Sequence, residues 1–194
     1  MDAGIQVEIA SALGGAVTLD PGSTKPVGQN DPVVERFLRD PVGQAKMQAT
    51  HVASTVDAAR CDAVFFPGGH GTLWDLPGDA GVTHAVESAF AAGKLIASVC
   101  HGAAGLVTAK RHHGEPVVKG RRISSFTDAE EAVVGLAAVV PFQLESRLRE
   151  LGAIFEGAAN WLPFAVRDGQ FITGQNPQSS RLVAGHTLRA LTTL

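Results

Sequence analysis

The sequence has few cysteines and no long apolar run. Cys61 and Cys100 are its two cysteines, too few for a disulfide framework, and free thiols fit a reducing compartment. Residues 132–142, one of the longest apolar stretches, include Gly and Pro and are far shorter than a membrane span. The first eight residues lack the basic start and apolar core of a signal peptide. These absences argue against a secreted disulfide scaffold and a membrane helix, and they predict a cytoplasmic protein.

Charge of either sign is also sparse. The 19 acidic and 16 basic residues are scattered along the chain and leave a formal net charge of −3. The cluster of basic residues at 119–122 is short, and it is more typical of a solvated turn than of a nucleic-acid-binding surface. We therefore expect no nucleic-acid partner. A length of 194 residues with 45% hydrophobic content predicts one globular domain, residues 1–194.

Apolar runs alternate with helical patterns along the chain. Residues 62–66 and 94–99 are continuous apolar segments followed by glycine-containing turns, as in strands buried on both faces. Further segments predict a strand at 6–10, helices at 83–92, 142–151 and 179–191, and hairpins at 117–126 and 164–173. This alternation predicts an α/β domain with a mostly parallel sheet covered on both faces.

Cys100 lies where a buried strand turns into a helix. Ligands of open α/β sheets bind beyond the carboxyl ends of the strands, and a helix N-terminus stabilises a thiolate. Backbone N–H groups at such a turn can also bind an oxyanion, and Gly68 and Gly69 allow a second backbone to approach. The position predicts a reactive nucleophile with a pKa below that of a free thiol, whereas the alternative is a small buried apolar residue. Cys61 opens a strand and is interpreted as structural.

His101 is the nearest candidate base, and a third group must orient its ring. Asp128, Glu130 and Glu131 follow the segment 123–127. From their spacing alone, orienting the His101 ring and forming an acidic helix start are equally good interpretations of these carboxylates. The chain has no phosphate loop, dinucleotide fingerprint or zinc-type ligand spacing. The motifs therefore predict neither a cofactor nor a metal site.

Four segments resemble the ThiJ/PfpI superfamily, which is class I glutamine amidotransferase-like. Within it they resemble the branch of the thirty-one-kilodalton heat-shock chaperones, which are glutathione-independent glyoxalases. The segments are residues 62–75 (DAVFFPGGHGTLWD), 97–102 (ASVCHG), 120–131 (GRRISSFTDAEE) and 172–177 (ITGQNP).

The resemblance implies a flavodoxin-like three-layer sandwich and a cofactor-free conversion of methylglyoxal to D-lactate, a D-lactate dehydratase reaction. It implies that Cys100, His101 and Glu131 are catalytic, with Glu131 as the acidic member. Oxyanion and substrate binding would fall to Gly68, Gly69, His70 and Gly102. The implied partner is a small aldehyde such as methylglyoxal, and a homodimer is an expected arrangement. Family members are also described as deglycases or holding chaperones.

One part of the family pattern has no counterpart in this sequence. The family opens with a strand and a loop that bears a glutamate near the nucleophile, and residues 6–10 match the segment that follows them. We therefore expect a sheet without the family's first strand. We also expect Cys100 to form an adduct with methylglyoxal but to give little D-lactate, because the proton shuttle has no counterpart.

The sequence leaves other functions open. A cysteine amidase or peptidase would use the same three side chains but needs a cleft for an extended chain. A holding chaperone would expose an apolar patch, and a thiol stress sensor would undergo oxidation at Cys100.

Overall fold

The computed structural model describes residues 4–26 and 28–193, which form parts of two compact units. These units are Met1–Val56 and Asp57–Leu194. The single domain expected from chain length spans both units and stays a prediction. Cys100 and the other candidate site residues belong to the second unit.

In its described residues, 4–26 and 28–56, the first unit contains two short α-helices and a pair of very short strands. In chain order these are β1 (Ala10–Ser11), α1 (Pro32–Arg39), α2 (Pro41–Gln48) and β2 (His51–Val52). Each helix begins with proline after an aspartate cap, and the caps are Asp31 and Asp40. β1 pairs in parallel with β2. The strand predicted at 6–10 therefore reaches regular geometry only at its end.

The second unit is a mixed α/β structure. Its elements are β3 (Ala63–Phe66), α3 (Thr72–Asp75), α4 (Ala80–Ala91), β4 (Leu95–Val99), β5 (Arg122–Ile123), α5 (Asp128–Val134), α6 (Leu144–Glu150), β6 (Ile154–Phe155), β7 (Ala165–Asp168), β8 (Phe171–Gly174) and α7 (Ser180–Leu191). The main sheet has the order β3-β4-β8-β7. β3, β4 and β8 are parallel, and β7 forms an antiparallel hairpin with β8. The predicted flavodoxin-like α/β class with mostly parallel strands is confirmed.

β4 is the strand that carries the candidate nucleophile at its end. All five of its residues are buried, and it is paired with β3 on one side and β8 on the other. Leu95, Ala97 and Val99 pack in one apolar cluster with Ile172 of β8 and Val183 of α7. A strand paired on both edges and buried on its faces holds the following residue in a fixed position.

Two elements differ from the sequence predictions. α4 begins at Ala80, three residues before the predicted start, because the Asp79 carboxylate accepts a hydrogen bond of 2.7 Å from the Val82 N–H and caps the helix there. The hairpin predicted at 117–126 is wrong. Its strand β5 pairs in parallel with β6, which follows α6 in the chain, and this long-range partner leaves no signal in the local pattern.

The helices are short relative to the thickness of a bilayer. α4 and α7 have 12 residues each, whereas a membrane span needs about 20. Within residues 4–26 and 28–193, no helix combines the length and apolar character needed to cross a membrane.

Candidate active site

Cys100 occupies a strained turn directly after β4. Its φ angle is +58°, in the left-handed region that residues with a side chain rarely adopt. A short 3-10 helix, Cys100–Leu106, begins at the same residue. A strand that enters a helix through a left-handed residue has the geometry of a nucleophile elbow, which sets the side chain apart from both elements.

Two glycines allow the neighbouring backbone to pack against this turn. A Cβ atom at Gly102 would overlap the carbonyl oxygen of Phe66 and lie 2.7 Å from that of Pro67. A Cβ atom at Gly68 would lie 2.7 Å from the Cβ atom of Cys100. Both contacts are closer than real Cβ atoms tolerate, so these positions require glycine for the end of β3 to meet the elbow.

The structure brings Cys100, His101 and Glu131 together in a line of hydrogen bonds. The Cys100 Sγ atom lies 3.3 Å from Nδ1 of His101. On the far side of the ring, His101 Nε2 lies 2.7 Å from Oε2 of Glu131. All three side chains are buried. A thiol, an imidazole and a carboxylate in this order are the parts of a nucleophile–base–carboxylate triad.

A second imidazole binds the same carboxylate. His70 Nε2 lies 2.9 Å from Oε1 of Glu131, and the rings of His70 and His101 have centroids 4.1 Å apart. The family resemblance placed His70 among the substrate-binding residues, but nothing in the sequence indicated this contact with Glu131. Because both histidines follow the ends of paired parallel strands, β3 and β4, strand order would have been the signal for their proximity.

The hydrogen bonds define the tautomers of both imidazoles. A carboxylate only accepts, so the Nε2 atoms of His70 and His101 each donate a proton to Glu131. The Nδ1 atom of His101 then carries a lone pair toward the Cys100 sulfur. In this tautomer the Cys100 thiol donates to His101, which makes His101 a base for the nucleophile.

Burial dominates the electrostatics of Cys100. It raises the pKa of the thiol to about 12, and the nearby Glu130 and Glu131 carboxylates act in the same direction. Backbone N–H groups of His101 and Gly69 donate to the sulfur and lower the pKa by a smaller amount. The sequence prediction of a pKa below that of a free thiol is therefore wrong in direction, because it took no account of desolvation. The resting state is a neutral thiol.

His101 is kept in its basic, neutral form. Burial lowers the pKa of its imidazole, and this outweighs the opposite effect of the hydrogen bond to Glu131. His70, beside it, also lowers the pKa of His101. A neutral thiol thus faces a neutral imidazole, and the proton can pass to Nδ1 when the sulfur attacks an electrophile.

The neighbouring Glu130 is fully buried and binds a different set of groups. Its Oε1 atom accepts from the Trp161 N–H and from the amides of Asn176 and Gln175, at 2.8, 2.8 and 3.0 Å. Its other oxygen completes a capping box with Thr127 at the start of α5. Burial alone would raise the pKa of Glu130, but these hydrogen bonds outweigh it and hold the pKa below its usual value. The alternative interpretation, an acidic helix start, is correct for Glu130, and Thr127 is the cap of α5.

The remaining candidates lie outside the triad. The third acidic candidate, Asp128, accepts from Ser146 of α6. Cys61 is partly exposed, and its sulfur lies 3.7 Å from the carbonyl oxygen of Asp57.

One group of side chains in the described part of the chain could hold a metal ion. The ligand atoms of His70, His101 and Glu131 lie within 4.8 Å of one another. The sequence predicted no such group because its three members come from distant segments. In the structure each imidazole already donates to one oxygen of the carboxylate, which is the arrangement of a proton relay.

Comparison with known proteins gives a family and several named relatives. The model of the DJ-1/PfpI family matches residues 2–190. Glyoxalase 3 of Candida albicans is 32% identical over 146 residues, which are 71% of this chain and 61% of that protein. The glutathione-independent glyoxalase HSP31 of Saccharomyces cerevisiae is 31% identical over 144 residues, which are 70% of this chain and 60% of that protein. The chain thus spans less than two thirds of the length of these relatives.

Solved structures agree with this assignment. The crystal structure of glyoxalase III from Candida albicans superposes with a TM-score of 0.84 at 27% identity, over 94% of this chain and 79% of that one. The Rapid Encystment Protein of 24 kDa from Francisella tularensis has a TM-score of 0.91 at 35% identity, over 98% of this chain and 84% of that one.

Proposed function

This chain belongs to the DJ-1/PfpI family, and from that premise we propose that it is a cysteine-dependent lyase of the glyoxalase type that converts methylglyoxal to D-lactate without a cofactor. Relatives at about 30% identity bear the name glyoxalase, which supports a small aldehyde as the substrate. The observation that carries the proposal is the hydrogen-bonded line from Cys100 through His101 to Glu131 at the elbow.

The first step is addition of sulfur to the aldehyde carbon. As the bond forms, the thiol proton passes from Cys100 to Nδ1 of His101, and Glu131 stabilises the resulting imidazolium. Backbone N–H groups of Gly69 and His101 already point at the sulfur and can stabilise negative charge beside it. Because the pKa of Cys100 is raised to about 12, little thiolate is present at neutral pH before the substrate binds.

The second step moves a proton between two carbons. The oxyanion recovers the proton from His101 and becomes the hydroxyl of a hemithioacetal. Nδ1 of His101 then removes the hydrogen of the first carbon as a proton, which gives an enediolate. The hydroxyl proton on the first carbon's oxygen moves to the oxygen of the second carbon, and the proton held by His101 is delivered to the second carbon. The product is a thioester of lactate, with the first carbon oxidised and the second reduced. Water attacks the thioester, and lactate leaves as Cys100 regains its proton.

The environment of Cys100 favours this chemistry over the sensor alternative. Redox-sensor cysteines are accessible and have a low pKa. Cys100 is 7% exposed and its pKa is raised, so a small bound substrate suits it better than a diffusing oxidant or an extended peptide. Deglycase and holding-chaperone activities stay predictions.

The experiment measures both the adduct and the product. Purified protein is incubated with methylglyoxal, the adduct is followed by intact mass, and D-lactate is determined with a stereospecific assay. We expect Cys100→Ser to abolish both signals and Cys61→Ser, the matched control, to leave both unchanged. D-lactate from Cys100→Ser would refute the proposal. An adduct on Cys100 without D-lactate, the outcome expected from the sequence, would show that the reaction stops at the hemithioacetal and that His101 does not carry the proton between the two carbons.

A further inference from the structure

Trp161 shares an unusual backbone geometry with the nucleophile. Among residues 4–26 and 28–193, Cys100 and Trp161 are the two non-glycine residues with positive φ, at +58° and +66°. Strain of this kind persists only where the surroundings enforce it, and it concentrates at functional sites. The strain at Cys100 is explained by the elbow, whereas Trp161 has no part in the triad.

A buried carboxylate enforces the geometry of Trp161. The Trp161 N–H donates to Oε1 of Glu130 at 2.8 Å. The same oxygen accepts from Asn176 at 2.8 Å and from Gln175 at 3.0 Å. Glu130 is fully buried, so each of these hydrogen bonds is protected from water. One carboxylate thus joins α5, the segment after β8 and the backbone at Trp161.

The two amides also bind the loop on either side of Trp161. Gln175 accepts from the Ala158 N–H at 2.8 Å, and Asn176 donates to the carbonyl oxygen of Leu162 at 2.9 Å. We call Glu130, Gln175 and Asn176 the loop clamp. It explains why the segment 172–177 carries two amides directly after a strand, which the triad does not require. A loop held at three points is preorganised in one conformation.

The clamp lies at the same edge of the sheet as the nucleophile. Gly174 at the end of β8 is paired in parallel with Val99 at the end of β4. The residues that follow these strands, Gln175 and Cys100, therefore emerge side by side. Ligands of parallel sheets bind at this edge.

Aromatic contacts connect Trp161 to the triad. The Trp161 ring packs edge-on against Phe126 with centroids 5.8 Å apart, and Phe126 lies 4.4 Å from the ring of His101. Phe126 is buried, but Trp161 is 36% exposed. The indole is therefore the partly exposed outer end of a row of aromatic contacts that begins at His101.

We propose that Trp161 is a specificity-determining wall of the aldehyde site, where its indole receives the apolar substituent of the 2-oxoaldehyde bound to Cys100. The loop clamp supplies positioning residues that hold this wall in place. The inference depends on the proposed aldehyde chemistry. Small-molecule sites recognise apolar substituents through such preformed aromatic surfaces, and one apolar group is worth about 10- to 200-fold in selectivity.

The test compares two substrates that differ by one methyl group. The ratio of kcat/KM for methylglyoxal to that for glyoxal is measured in the unchanged chain and in Trp161→Ala. We expect the ratio to fall about tenfold in Trp161→Ala, because the methyl group loses its apolar partner. Leu162→Ala is the matched control, since it removes an exposed apolar side chain from the same loop, and it should leave the ratio unchanged. The ratio does not depend on the fraction of active protein.

The clamp is tested through the same ratio. Asn176→Ala should lower the ratio toward that of Trp161→Ala, whereas Trp161→Phe should restore most of it. Iodoacetamide labelling of Cys100 should change less than about twofold in Trp161→Ala, which would show that the nucleophile is intact. An unchanged ratio in Trp161→Ala, or an equal loss in Leu162→Ala, would overturn the proposal.

A failure of the proposed function can be told apart from a failure of this inference. If the protein makes no D-lactate, the equilibrium constants of the Cys100 adducts with methylglyoxal and glyoxal are measured by intact mass. If the ratio of these constants falls about tenfold in Trp161→Ala, the proposed contact between Trp161 and the substrate's methyl group is supported even though the protein does not turn over. Equal ratios in both proteins would refute it.

Discussion

His70 Nε2 lies 2.9 Å from Oε1 of Glu131, so the carboxylate that orients the base also holds a second imidazole. The His70 side chain is 34% exposed, whereas those of His101 and Glu131 are almost fully buried. The relay from the thiol therefore reaches an imidazole in contact with solvent. Each carboxylate oxygen has one imidazole donor, which fixes the plane of the carboxylate as well as the ring of His101.

The first prediction concerns His70. In His70→Leu the carboxylate loses one donor, and we expect kcat to fall by roughly tenfold because hydrogen bonds to charged groups are worth about 1.5–3 kcal/mol. His70→Gln keeps an N–H donor and should retain most of kcat. Steady-state kinetics of the two variants would check this. Equal activity of His70→Leu and the unchanged protein would show that His101 is oriented without His70.

The second prediction concerns Glu131. An amide at this position offers one acceptor and one donor, although both imidazoles present donors to it. If His101 changes tautomer to accept, its Nδ1 carries a proton toward Cys100 and the base is lost. We expect Glu131→Gln to lower kcat by about 10²–10⁴-fold. Glu150→Gln, on the surface of α6, is the control. If the kcat values of the two variants lie within about threefold of each other, Glu131 does not orient His101.

The third prediction concerns the stability supplied by Glu130. The pKa of Glu130 in the folded protein is below the usual value of 4.5, so ionisation of this carboxyl stabilises the fold. The full stabilisation is present above pH 4.5, and it is lost as the pH falls through the pKa of the folded state. In Glu130→Gln the amide N–H₂ group faces neighbours that are themselves hydrogen-bond donors. The substitution should therefore lower the free energy of unfolding by about 2–4 kcal/mol at pH 7. Urea titrations should show this difference narrowing below about pH 4. A constant difference from pH 7 to pH 3 would contradict the role.

The fourth prediction concerns the thiol. Burial raises the pKa of Cys100 to about 12, so its thiolate fraction should increase about tenfold per pH unit from pH 7 to pH 10. In a Cys61→Ser background, the rate of iodoacetamide labelling should follow that slope without a plateau. A plateau below pH 9 would mean that His101 stabilises a resting thiolate, as the sequence had predicted.

The fifth prediction concerns the glycines of the elbow. A methyl group at Gly102 would overlap the backbone of Phe66, which cannot yield without moving β3. Gly102→Ala should lower the free energy of unfolding by about 2–4 kcal/mol. Gly71→Ala is the control because nothing lies within 4 Å of its Cβ position, and it should change stability by less than about 1 kcal/mol. Equal denaturation midpoints for the two variants would contradict the packing argument.

Several features of this protein were determined by short stretches of sequence. The apolar run that forms β4 and the Asp168-Gly169 turn between β7 and β8 are where the local pattern places them. The position of Cys100 between a buried strand and a helical segment also follows from neighbouring residues. Strand burial, turn chemistry and helix starts depend on interactions within a few residues, so their patterns can be read directly.

Tertiary structure alone decided how the side chains of the candidate site are arranged. The contact between His70 and Glu131 spans 61 positions, and that between Glu130 and Asn176 spans 46. Sequence spacing could not distinguish Glu131, which binds His70 and His101, from Glu130, which binds the backbone of Trp161, because the two carboxylates point to different partners from one helix. The raised pKa of Cys100 likewise comes from desolvation by the packed core. Burial and distant hydrogen bonds arise only when the strands meet at one sheet edge, and no local pattern contains them.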